Sequence, residues 1–330
     1  MKTNFKTIGL LFAATIVMMS CSNDDNGNET IQMPTSPQQY KALSQAALDN
    51  LTQHFTMTAG TGSTTFTSSK GVKITINGNC LTLNGNPVTG NVDIKFIEVF
   101  DKGHMLATNK PTSGKLGNGN LELLISGGEF YVNATQNGQQ LATTCNIALE
   151  VPTSLTGTAD YGMQLFNGVI GVNGDLVWNA DNPAGGGIDV GQGQGGTAGG
   201  TNYYVSFGNF GWTNVDKFYS DPRPKTTILV DAPDGYDFDN SAIYLSYDGE
   251  GQNALAKLDT YTPAGLFSEH YGQIPIGLAC HIIFVTEENG QFRYGIKGVT
   301  TTANATYSFT IGETVLGTEA QLVAAINAIQ

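Results

Sequence analysis

Between Phe66 and about Ala180 the apolar pattern switches to period two, which predicts antiparallel β structure over that stretch. Val72, Ile74 and Ile76 form one run, Val92, Ile94 and Phe96 a second, and Phe130, Val132 and Ala134 a third. Successive side chains of a strand point to opposite faces, so each run offers one face to a core and one to water. Turn-forming residues separate the runs: Asn84-Gly85-Asn86-Pro87, Gly127-Gly128, Asn137-Gly138 and Asn173-Gly174. Short strands punctuated in this way predict an antiparallel sandwich or partial barrel.

Helical spacing interrupts that pattern at the two ends. Ser36, Pro37 and Gln39 supply an N-cap, a first-turn proline and a capping box, and Tyr40, Leu43, Ala47, Leu48 and Leu51 follow on one face. Thr318 and Gln321 repeat the device before Leu322, Ile326 and Ile329. Residues 181–200 contain nine glycines, too little apolar surface to order themselves, and read as a linker. Its Gly191-Gln192-Gly193-Gln194-Gly195-Gly196 precedes no apolar-striped helix, so it is a poor dinucleotide loop. Beyond it, Tyr203 to Trp212, Thr226 to Val230 and Ile243 to Tyr247 read as strands, and Leu278 to Val299 as a hairpin turned by Asn289-Gly290. Apolar residues on both faces of its first arm make that arm a central strand. The expected fold is mainly β: two antiparallel β-sandwich-like domains, 36–180 and 201–330, each with an accessory helix at about 37–52 and 318–329.

The N-terminus sets an address. Lys2 and Lys6 precede an apolar run from Ile8 to Met19, too short to span a bilayer, which needs about 20 apolar residues. Residues 1–20 therefore read as a lipoprotein signal peptide, with small Ser20 before Cys21 as the lipid-attachment residue. Acyl chains at about 0.8 kcal/mol per buried methylene make such an anchor effectively permanent. Residues 21–35 then form a flexible tether with a reach of roughly 20 Å. Loss of the two leader lysines leaves 13 basic against 28 acidic residues, a formal charge of −15. Residues 201–330 carry six basic against fourteen acidic residues, so nucleic acid is excluded as a partner. With Cys21 acylated, Cys80, Cys145 and Cys280 remain; an oxidising envelope permits a bridge between Cys80 and Cys145, with buried thiols as the alternative.

Cys21-Ser22-Asn23-Asp24-Asp25 resembles the export signal of Bacteroidota surface lipoproteins, in which acidic residues such as Asp24 and Asp25 direct a chain to the outer face of the outer membrane. The resemblance extends to Gly71-Val72-Lys73-Ile74-Thr75-Ile76, to Asn84 through Val92, to Glu98-Val99-Phe100-Asp101 and to Ser126-Gly127-Gly128-Glu129-Phe130. Together these are similar to a β-sandwich module of cartilage-intermediate-layer type. Phe210 through Tyr219 is similar to a segment that follows the module in such lipoproteins. The resemblance implies a fold and a location, and no catalytic residue.

Candidate chemistry is sparse. Gly-x-Ser-x-Gly, His-Glu-x-x-His and Gly-Lys-Ser/Thr are absent, and no cofactor is read. His281 is expected as a buried, hydrogen-bonded core residue, with a metal role alongside His270 as the alternative. Asp231, Asp234, Asp237 and Asp239 crowd one loop with Gly235, which makes Asp234, Asp237 and Asp239 a calcium candidate against ordinary turn chemistry. Trp212 and Tyr219 are candidates for stacking on sugar rings, with core packing of the aromatic run as the alternative. The resulting expectation is a lipid-anchored envelope protein, membrane-held and surface-facing, that acts without catalysis in binding, adhesion or assembly with a glycan or an extracellular protein. An accessory glycan-binding lipoprotein is the second reading and an envelope hydrolase the third.

Overall fold

The computed structural model describes residues 34–171, 175–180, 187–190, 201–269 and 272–330. Cys21, Asp24, Asp25 and His270 lie outside the described residues, as do the signal peptide and most of the tether. Helix α1 (Pro37–Asn50) begins at Ser36, whose hydroxyl accepts from the Gln39 N–H while the Gln39 side chain reaches back, the expected capping box. The chain then enters β1 (Gln53–Ala59), β2 (Ser63–Thr67), β3 (Lys73–Asn77) and β4 (Gly90–Val99). Asp101 caps a short α2 (Lys102–Ala107), a helix too brief to leave a periodic signature. β5 (Ser113–Lys115), the long β6 (Leu121–Gln136), β7 (Ile147–Pro152), β8 (Gln164–Ile170) and β9 (Leu176–Ala180) follow. Next come β10 (Gly187–Val190), β11 (Asn202–Phe207) and β12 (Gly211–Phe218). The remainder holds β13 (Ser241–Tyr247), β14 (Ala256–Lys257), β15 (Ala279–Glu288), β16 (Gln291–Thr300), β17 (Val315–Gly317) and α3 (Glu319–Asn327), the last with its Thr318–Gln321 capping box.

Three sheets organise these strands. The first runs β1–β4–β6–β12–β8–β9–β5, and β5 also pairs with β6. Strands β6, β12, β8, β9 and β5 therefore close on one another as a small barrel, with β5 and β9 parallel at Gly114↔Trp178. Closure is tight: a Cβ at Gly114 would lie 2.5 Å from Leu124 Cδ2, and one at Gly168 2.5 Å from Trp212 Cβ. Leu124, Phe166, Leu176 and Trp178 fill the interior, none more than 1% exposed. The second sheet, β10–β11–β7–β3–β2, covers one face of the first. Val72, Ile74, Ile76, Val92, Phe130 and Val132 meet between them, so the period-two runs do form a buried sandwich face.

The third sheet, β14–β13–β15–β16–β17, holds β15 at its centre, and β13 is buried throughout. Between it and the outer face of the first sheet lie all three helices: Tyr40 and Ala47 of α1, Met105 of α2 and Leu322 and Ile326 of α3 share a cluster with Ile97, Val99, Tyr244 and Ile283. Its far face packs Ile243, Ile282 and Phe284 on Val230, Tyr236 and Phe267.

This arrangement departs from two halves divided at 181–200, each with its own helix. Gly187–Val190 is itself a strand, paired with β11, and β11 pairs with β7. β12 inserts between β6 and β8, so strands on both sides of the glycine-rich segment share sheets. Pro34–Gln330 accordingly makes one compact unit. Local composition marks where a chain lacks side chains to pack; it carries no information on which distant edge the next strand will fill. Cys80 and Cys145 are joined by a disulfide across 65 residues, and Cys280 is a buried thiol.

Candidate functional site

A cleft of about 320 Å³ opens where the small barrel meets the third sheet. The hairpin β8–β9 forms one wall: Gly171 N–H donates to Asp175 O at 2.8 Å, which sets Asp175 at the start of β9. Trp178 pins that wall from inside, its indole N–H donating to Pro111 O at 3.1 Å. Pro111 and Ser113 lead into β5, which brings Lys115 to the rim. The opposite wall is β14, held by the register Tyr244↔Lys257, and the residue after it continues through Leu258 N–H to Ile243 O at 2.9 Å. Asp259 and Asn179 complete the polar lining, and Leu121, Val169, Leu176 and Val177 the apolar part.

The wall-to-wall contact is an ion pair. Lys257 Nζ donates to Asp175 Oδ1, with side chains 9% and 14% exposed, and the Lys257 ammonium also lies 5.8 Å from the Phe238 ring centroid. Removing one partner of such a pair strands the other charge. Eighty-two residues separate the two, and no local pattern announces the meeting.

The residues singled out from sequence fall elsewhere. Trp212 is half-buried, 5.3 Å from the Tyr131 ring and 6.3 Å from Trp178, with the Lys110 ammonium 5.8 Å from its own centroid. Tyr219 sits edge-on to Tyr247 at 5.3 Å, donates its hydroxyl to Asp221 at 3.0 Å, and carries Lys225 at 5.9 Å. Trp212 packs with the helix cluster and Tyr219 with the outer face of the third sheet, so they share no stacking platform.

The aspartate loop is turn chemistry. Asp237 Oδ1 accepts the Asp239 N–H at 2.9 Å, Asn240 Oδ1 accepts the Asp237 N–H at 2.9 Å, and Gly235 supplies a φ of +87°. Among the described residues no group of three His, Cys, Asp or Glu side chains is placed to hold a metal. His281 is hydrogen-bonded as expected but not buried: its Nδ1 lies 2.7 Å from Asp248 Oδ1 and its side chain is 29% exposed. The apolar neighbours Cys280 and Ile282 are fully buried on the opposite face of β15.

One constellation escaped the sequence reading. Glu129 on β6 and Asp216 on β12 are fully buried near a bulge between Asn214 and Asp216, where Asn214 Nδ2 donates to Asp216 Oδ2 and Ser126 donates to Asn214 Oδ1 at 3.0 Å. Neither Glu129 oxygen has a hydrogen-bond partner among the described residues. Burial pushes the Glu129 carboxyl well above the ordinary carboxylate range; Asp216 acts in the same direction and Lys110 against it. Burial likewise raises Asp216, with the neighbouring Ser126 hydroxyl and Gly127 N–H acting in the opposite direction. Glu129 lies in the Ser126-Gly127-Gly128-Glu129 segment, where an acid flanked by glycines and aromatics was the available signal. No protein-family model, curated protein or solved structure matches the chain.

Proposed function

We propose that the chain is a lipid-anchored lipoprotein of the outer membrane, displayed on the cell exterior and acting as a binding module without catalysis. The observation that carries this reading is Met18-Met19-Ser20-Cys21 after a short apolar run, followed at once by Asp24 and Asp25, the arrangement that resembles Bacteroidota surface lipoproteins. The folded body suits suspension from such an anchor. Its first described residues, Pro34 and Thr35, are held at the aspartate loop: Asn240 Nδ2 donates to Thr35 O at 3.2 Å, and Thr35 donates to Glu287. Residues 22–33 lie between that attachment and Cys21, enough for a polar spacer between membrane and body. Among the described residues no helix is long and apolar enough to cross a membrane. A sheet-built body with a cleft between its barrel and its third sheet offers a concave surface for recognition.

The test is protease treatment of intact cells expressing the chain. The account expects residues 34–330 to be lost from whole cells while a periplasmic marker survives, and expects Cys21→Ser to abolish that cell-surface pool. Full protection of the wild-type chain in intact cells, with digestion only after lysis, would remove the surface assignment.

A further inference from the structure

We infer that the cleft between the β8–β9 hairpin and β14 binds a neutral polyhydroxylated ligand, an oligosaccharide end or short stretch, through Asp175, Lys257, Asn179 and Ser113. This rests on the binding-module reading and names the ligand class for it.

Charge decides against an ionic ligand. Lys115 and Lys257 on the lining balance Asp175 and Asp259, so the cleft presents no net field to concentrate an anion or a cation. A charged ligand drawn to Lys257 or Asp175 would have to compete for one member of their ion pair, whose partner would then be left uncompensated in a mostly buried wall. A neutral hydroxyl ligand leaves the pair intact. An ammonium offers three donors and a carboxylate about four acceptor sites, and the pair consumes one of each. The remainder places donors and acceptors side by side, the pattern that adjacent sugar hydroxyls satisfy by donating to one group and accepting from its neighbour. Asn179 adds an amide and Ser113 a hydroxyl on the same lining.

Shape agrees with that chemistry. Leu121 and Val177 give an aliphatic strip for the C–H face of a ring, and Val169, 52% exposed, forms an open apolar lip. The volume, about 320 Å³, stands at the small end of ligand pockets and suits one or two rings rather than a buried polymer. The walls are a closed barrel and a sheet edge, so the geometry exists before the ligand arrives, which lowers the ordering cost of binding.

The experiment titrates the full chain, purified in detergent, with malto-, cello-, xylo- and manno-hexasaccharides by calorimetry, beside a hexagalacturonate and trialanine. The expected result is binding of at least one neutral hexasaccharide, weakened about tenfold by Asn179→Ala and by Asp175→Asn, each removing one or more ligand hydrogen bonds. Asp175→Asn breaks the ion pair, so its unfolding midpoint is measured alongside; should it unfold, Asn179→Ala and Ser113→Ala carry the comparison. Binding confined to the galacturonate or the peptide overturns the inference. So does neutral-sugar binding that all the variants leave unchanged, or no neutral-sugar binding at millimolar concentration. Protease-accessible chain with blank sugar titrations removes the cleft assignment alone, whereas protected chain removes the surface reading and leaves the titration to judge the cleft.

Discussion

Trp178→Ala is expected to lower the unfolding free energy by about 3–5 kcal/mol, the usual cost of truncating a buried aromatic. Trp178 is 0% exposed and fills the small barrel with Leu124, Phe166 and Leu176, against the edge of Trp212. The barrel cannot collapse onto the void easily. Its five strands are hydrogen-bonded in a ring, and at Gly114 and Gly168 neighbouring side chains already stand where a Cβ would be. The substitution also removes the indole N–H that holds Pro111 O, leaving a buried carbonyl short of a donor. Because Pro111 and Leu176 both line the cleft, the same variant should distort that site. Trp178→Phe, which keeps most of the volume but loses the N–H, should recover much of the stability. Chemical denaturation of the three proteins checks this, and a loss under about 1 kcal/mol for the alanine variant would show that the barrel interior is not a cooperative part of the fold.

Glu129→Gln is expected to stabilise the chain at pH 8, by roughly 1–3 kcal/mol, and to do so far less at pH 4.5. The sign follows from the direction of the shift. The folded Glu129 carboxyl titrates well above the ordinary value of 4.5, so the folded state keeps its proton while the unfolded state releases one. Wild-type stability from this group is therefore fully present below the unfolded value, and is lost as pH rises from there toward the folded value. Glutamine has no proton to lose and escapes that decline. It also leaves Asp216 without a potential like charge beside it, which acts in the same direction. Asp216→Asn should show the same pH trend, since burial raises that carboxyl too. Unfolding curves at the two pH values decide the matter: a gap between wild type and Glu129→Gln that is independent of pH, or that widens toward acid, contradicts the account.

Features of the fold that rest on neighbours in sequence were legible, and those that rest on distant neighbours were not. The capping boxes at Ser36–Gln39 and Thr318–Gln321 are closed within a single turn, so the letters alone suffice to place both helix starts. Val72, Ile74 and Ile76 declare their buried face because a pleated strand has a fixed period of two. The same logic identified β15 as central from apolar residues on both faces. Insertion of β12 between β6 and β8 was invisible, because pairing partners 46 to 94 residues away leave no local trace. The glycine-rich segment invited a division that sheet pairing overrides.

The candidate site followed the same rule. Asp175 and Lys257 each look like ordinary surface charges, and only the closure of the barrel against β14 makes them a pair. Trp212 illustrates the converse: an aromatic on a strand reads equally as platform or core filling, and here Tyr131, Trp178 and Lys110 surround it. For the aspartate loop, four carboxylates close in sequence are not four carboxylates converging in space, since turn geometry turns Asp237 inward onto the Asp239 N–H. Asp101 caps α2, whose six residues offer too few positions for a stripe.

The anchored-module reading turns on Cys21, and the mass of the N-terminal peptide of the chain isolated from membranes tests it most directly. The account predicts a peptide that begins at Cys21 and carries a diacylglyceryl group with or without an N-acyl chain. A peptide that begins elsewhere, or an unmodified Cys21 thiol in the membrane-isolated protein, would contradict it.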